Sequence, residues 1–126
     1  MGVFMPGFKK ENLIVDKSFE FSLKIIKVYK ELVRNREYVM SRQLLKAGTS
    51  IGANVNEAQA AQSKRDFIAK MSIASKEARE TKYWIMLLVK SNIVPSCQKH
   101  LCSLESEIDD IINILTKIVK TSLTKC

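Results

Sequence analysis

Cys97, Leu101, Leu104, Ile108, Ile111, Leu115 and Ile118 follow one another at alternating steps of four and three. That spacing returns each residue to the same side of an α-helix, so the stretch is a helix with one continuous, coiled-coil-like apolar seam. Such a seam is stable only against other helices, which commits the fold to helix packing before any other segment is considered. Glu105, Glu107, Asp109 and Asp110 line the other side of this helix and could meet basic residues of a neighbour.

Three further segments carry a helical period. Phe21, Ile25, Val28 and Leu32 form one stripe, with Phe19, Leu23, Ile26 and Val33 as a second beside it. This is more apolar surface than one seam requires, and Ile112, Ile114 and Val119 widen the last helix in the same way. The first and fourth helices are therefore the expected subunit contacts. Met40, Leu44, Ala47, Ile51, Val55 and Ala58 set the second helix, and Phe67, Met71, Ala74, Ala78, Ile85 and Leu88 the third. Ser63 is a fitting N-cap with Asp66 three positions on, and Pro95 suits the first position of the last helix. The predicted helices span 12–34, 39–60, 64–91 and 95–122, the first starting within Asn12 to Ser18. With four Gly, two Pro and 46% hydrophobic residues in 126, the chain reads as one all-α domain, an antiparallel four-helix bundle.

The segment 44–88 adds a string of small and polar residues. Ser50, Asn54 and Glu57 share a helical face with Ala47, Ala58 and Ala61, a mixture that reads first as a hydrogen-bonded helix contact and second as a ligand site. Asn54 and Glu57 are expected to be mostly buried and paired with another helix or subunit. Gly48 and Gly52 each cost a helix about 1 kcal/mol relative to Ala, which implies a closely approaching neighbour. In an antiparallel hairpin of the second and third helices, residue i lies opposite roughly 124 minus i. Glu57 is then a candidate ion partner of Lys64 or Lys70, and Glu80 of Arg42 or Lys46. Ser50, Asn54, Glu57 and Glu80 make up this expected structural polar network.

The same segment resembles a known family. Gly48-Thr49-Ser50-Ile51-Gly52-Ala53-Asn54, Glu57-Ala58, Ser63-Lys64-Arg65-Asp66-Phe67-Ile68, Lys76-Glu77-Ala78-Arg79-Glu80-Thr81 and Tyr83-Trp84 are similar to the four-helix bundle proteins encoded in intervening sequences of bacterial 23S rRNA genes. The resemblance implies a small helical bundle that assembles as a homopentameric ring. More distantly it points to accessory proteins of diversity-generating retroelements, which bind nucleic acid and a reverse transcriptase.

Lys and Arg number 21 against 13 Asp and Glu, a net charge of +8. Attraction to RNA or DNA is one reading, and a solvated basic surface spread over four helices is the other. Five copies would carry about +40, which favours the first. The candidate phosphate-binding residues are Lys24, Lys27, Arg34, Arg42, Lys46, Arg65, Arg79 and Lys82. Tyr83 and Trp84 interleave with the last of these and could stack on a base, although Trp84 serves equally as a bundle anchor.

Nothing in the chain has the pattern of a catalytic or cofactor site. His100 is the lone histidine and reads as a surface residue. Cys97, His100 and Cys102 lack a fourth ligand and a zinc spacing, and three cysteines, counting Cys126, cannot close an internal disulfide framework. Neither a secretory signal nor an apolar run long enough for a bilayer is evident, so a cytoplasmic protein is expected. Two functions follow as expectations: a non-enzymatic oligomeric nucleic-acid or ribonucleoprotein accessory protein, or a protein-interaction scaffold whose basic charge is incidental.

Overall fold

The computed structural model describes residues 9–124, with side chains from Leu13 onward; the apolar start and Cys126 lie outside the described residues. Its four helices are α1 (Lys9–Arg34), α2 (Val39–Ala58), α3 (Lys64–Ser91) and α4 (Gln98–Thr124), the last preceded by a 3-10 turn at Pro95–Cys97. Among the described residues there is no strand. Each helix packs on two others, α1 and α3 both touching α2 and α4. Lys24 meets Glu107 while Glu31 meets Cys97, and Lys82 meets Asp109 while Arg79 meets Thr116. Rising numbers on one helix face falling numbers on the next, so neighbours are antiparallel in an up-down-up-down bundle.

The seam of α4 enters the core as its spacing dictates: all seven of its residues are buried. They meet Phe21, Ile25 and Leu32 of α1, Leu44, Ile51 and Val55 of α2, and Phe67, Met71 and Ile85 of α3. The helix ends depart from expectation by a few residues. Among the described residues α1 begins at Lys9, ahead of the expected 12–18, and it carries Ile14 fully buried into the core. α2 stops at Ala58, where the N–H groups of Ala60 and Ala61 bond carbonyls only three residues back and tighten the chain toward α3. Ser63 caps α3 as expected, its hydroxyl accepting from the Asp66 N–H at 3.0 Å. Pro95 opens the short 3-10 turn, and the α-helix starts only at Gln98.

The small and polar residues of α2 divide between two neighbours instead of forming one face. Gly48 and Gly52 lie against α1: a Cβ on Gly48 would fall 2.8 Å from Ile25, and one on Gly52 would fall 3.3 Å from the Ser18 carbonyl. Ser50 sits about 200° from Gly52 around the axis and faces away from this contact. Its hydroxyl donates to the Lys46 carbonyl at 2.7 Å, and the Asn54 amide donates to the Ser50 carbonyl at 2.9 Å. These groups are satisfied by their own helix one turn back, a geometry open to any Ser or Asn on a helix, so no cross-helix partner is needed. In the single chain Asn54 is half-buried and Glu57 is exposed. Glu57 does pair with α3, through Lys70 at 3.1 Å. Glu80 meets neither Arg42 nor Lys46; it accepts the Trp84 indole N–H at 3.3 Å on its own helix.

Apolar surface outside the core is distributed differently from expectation. Phe19, Leu23 and Ile26 leave the second stripe of α1 exposed, as its excess width suggested. Ile112 is buried, however, and Ile114 and Val119 pack against the core, so the widened face of α4 is used within the chain. The other exposed apolar set lies on α3, at Ile73, Tyr83, Met86 and Leu87.

Candidate nucleic-acid interface

Up-down topology sorts the charges of this chain into bands that the linear sequence does not show. One end of the bundle is made by residues 27–46 and 83–104, the two stretches that contain the α1–α2 and α3–α4 connections. These stretches hold eight Lys and Arg against two carboxylates, a net +6. Next to them lies a waist formed by 18–26, 74–82 and 105–114, with four cations against seven carboxylates. The far end, 13–17, 53–73 and 115–124, holds six cations against three carboxylates.

Two of the four waist cations are paired locally. Lys24 pairs with Glu107 and Lys82 with Asp109, each at 2.7 Å. Two carboxylates of the acidic side of α4 thus meet basic residues of their own chain. At the basic end no cation is so paired among the described residues. Lys27, Lys30, Arg34, Arg36, Arg42, Lys46, Lys90 and Lys99 form no ion pair with any described residue. Both carboxylates there serve backbone or neutral donors: Glu37 accepts the Ser41 N–H at 2.8 Å, capping α2 in place of Tyr38, and Glu31 accepts the Cys97 thiol at 3.6 Å. Unpaired cations on the rim of a low-dielectric body project a field that a polyanion feels at a distance.

The α1–α2 turn holds this end in shape. The Glu37 N–H bonds the Leu32 carbonyl and the Arg36 N–H bonds the Val33 carbonyl, both at 2.9 Å, which is the Schellman closure of a helix C-terminus. Arg36 takes the left-handed position, φ 64°, and Asn92 takes it at the end of α3, φ 49°.

A groove of about 460 Å3 runs between α1 and α4 and opens on this end. Lys27, Lys30, Arg34 and His100 rim it, with Val28, Leu104 and Cys97 as its floor. Burial, and then the Glu31 carboxylate, push the Cys97 thiol up from its ordinary value. It is therefore a protonated hydrogen-bond donor near neutral pH and a poor nucleophile. Cations above an apolar floor, without a Phe, Tyr or Trp side chain, suit a phosphate backbone better than a base.

The eight candidates from the sequence fall in different places. Lys27, Arg34, Arg42 and Lys46 lie at the basic end, the first two on the groove. Lys24 lines the groove but is paired, and Arg79 and Lys82 line a separate recess between α3 and α4 with Asp109 and Thr116. Arg65 sits at the far end, beside the cap of α3. Lys30, Arg36, Lys90 and Lys99 went unselected, although pairing α1 antiparallel to α4 on paper would have brought Lys30 to His100. Trp84 is half-buried against the core and bonded to Glu80, an anchor; Tyr83 packs edge-on to it at 5.2 Å. Cys97 is buried and Cys102 exposed, and no group of His, Cys, Asp and Glu that could hold a metal occurs among the described residues. No helix among them is long and apolar enough to cross a membrane.

No curated protein sequence matches the chain. A crystal structure of a protein of unknown function from the S23 ribosomal protein family of Bacteroides thetaiotaomicron superposes with a TM-score of 0.82 at 45% sequence identity. The match covers 88% of this chain and 98% of that one. The profile of the 23S rRNA-intervening sequence protein family spans residues 10–117. With the Gly48–Asn54 and Ser63–Ile68 segments inside that span, the chain belongs to the 23S rRNA-intervening sequence protein family.

Proposed function

We propose that this protein is a non-enzymatic, cytoplasmic, oligomeric nucleic-acid-binding protein that holds RNA or DNA by its phosphates at the basic end of the bundle. The observation that carries the reading is the gathering there of eight cations, none of them ion-paired with a described residue. Binding of this kind has little sequence preference and releases counterions from the phosphate backbone, so affinity falls steeply with salt. Fluorescence anisotropy of a labelled single-stranded RNA tests it: binding at low salt should weaken along a straight line of log affinity against log salt. Absence of any binding at low salt ends the reading.

Assembly is part of the proposal. Phe19 is 62% exposed, and Leu23 and Ile26 continue its stripe, an apolar face that a second copy would cover. The family resemblance favours a pentamer, so light scattering should give about five times the 14.3 kDa chain mass. A stable monomer at micromolar concentration would reject assembly, and a dimer would reject only the ring. A protein partner such as a reverse transcriptase rests on the retroelement analogy alone. The exposed α3 residues Ile73, Tyr83 and Leu87 favour the second reading, a protein-interaction scaffold. A pull-down that yields one protein partner from a chain that does not shift RNA would establish it.

A further inference from the structure

Both connections at the basic end pass through the left-handed region, but with unequal ease. At Asn92 the residue is one whose short polar side chain tolerates that conformation. At Arg36 it is not: the C′ position of a Schellman motif is ordinarily Gly, because a Cβ there crowds the following carbonyl. The backbone bonds of the turn hold Arg36 in place, but its side chain gains no partner from the fold: Arg36 is exposed, and its guanidinium has neither an ion pair nor a hydrogen bond among the described residues. Arg34 ends α1 and Arg42 lies on the first turns of α2, so the turn between them adds a further cation to the basic end. A cation carried in a costly backbone conformation, with no partner of its own in the fold, is a residue for which an external anion is the missing partner.

We propose that Arg36 is a phosphate-contacting residue, kept in an unfavourable backbone conformation because the turn sets its guanidinium beyond the end of α1. The inference rests on the reading of the basic end as a nucleic-acid interface and assigns to it a residue that lies outside the groove. It extends the contact from the α1–α4 groove over the end of the bundle, so that one phosphate backbone runs from Lys27 and Arg34 across Arg36 toward Arg42.

Two variants, Arg36→Gly and Arg36→Asn, test it, since both suit the left-handed position and both remove the charge. Thermal melting by circular dichroism should give a Tm equal to the parent's or higher by about 3 °C. Anisotropy titration with a labelled single-stranded RNA of mixed sequence should show affinity lowered about threefold to tenfold at low salt. The slope of log affinity against log salt should shrink by about 0.7 per bound chain, the share of one phosphate contact. A purely structural role, as a cation at the negative end of α1, predicts the opposite pair of results: a lower Tm and unchanged binding. Unchanged binding in either variant overturns the inference and leaves the basic-end reading standing. A loss confined to Arg36→Gly also overturns it, as an effect of loop flexibility. A parent protein that fails to bind the RNA sinks both.

Discussion

Replacing Lys27, Arg34 and Arg42 together by Gln should lower the affinity for RNA about a hundredfold at low salt while leaving the mass of the assembly unchanged. None of the three is ion-paired with a described residue, so each can displace a counterion from a phosphate. Two rim the α1–α4 groove and the third stands on the first turns of α2, so the set samples the α1 and α2 side of the basic end. Gln keeps a polar, uncharged side chain with part of the methylene stem, and none of the three belongs to the apolar stripe of α1, which separates charge from packing. The matching control is Lys24→Gln with Lys82→Gln. Those two cations already have carboxylate partners at 2.7 Å, and their loss should change affinity by less than a factor of about three. If the control variant lost as much binding as the triple variant, the interface would lie at the waist and the assignment to the basic end would be wrong.

Gly48→Ala should destabilise the chain by about 1–2 kcal/mol, against the usual sense of that substitution in a helix. Helix propensity alone favours Ala by about 1 kcal/mol. Here the new Cβ would meet Ile25 at 2.8 Å to Cγ1 and 3.0 Å to both Cγ2 and Cδ1. Ile25 is fully buried and cannot swing aside, so α1 must move away from α2 or the isoleucine must leave its rotamer. Urea denaturation would measure the loss. On an Ile25→Ala background, which itself costs about 2–5 kcal/mol, the Gly48→Ala penalty should shrink or vanish because the clashing atoms are gone, so the two changes should be non-additive. A Gly48→Ala protein more stable than its parent would show that α1 and α2 are not in close contact at this point.

The sequence carried the fold further than the site because the two depend on different information. Periodicity is local, so the steps of Cys97 to Ile118 specify a helix and its buried side without any knowledge of neighbours. Ser63 and Pro95 likewise mark helix starts through local chemistry. Whether Lys24 is free or paired depends instead on Glu107, 83 residues away in sequence. The same holds for the banding: basic residues that look scattered along four helices collect at one end only once the helices alternate in direction. Glu107 and Asp109, two of the four carboxylates that looked like a surface for a neighbour, pair with Lys24 and Lys82 of the same chain. The polar string of α2 misled for a different reason. Ser50 and Asn54 can be satisfied by their own helix backbone, and side-chain type alone does not distinguish that from a contact with another helix. Ile112 and Val119 show the limit of the width argument, since a broad apolar face can be absorbed by two neighbours within the bundle as well as by a second subunit.

Three of the four helix interfaces join consecutive helices, and the fourth, α1 against α4, closes the bundle across most of the chain's length and is the thinnest. Short hairpins form quickly and independently, whereas a closure between distant segments must wait for them. The groove is cut into that closure. Parting α1 from α4 by a small amount leaves all three hairpins intact, so this is the direction in which the bundle yields most readily. A strand settling between Lys27, Arg34 and His100 would therefore wedge the seam rather than the core, widening its own berth without unfolding its host.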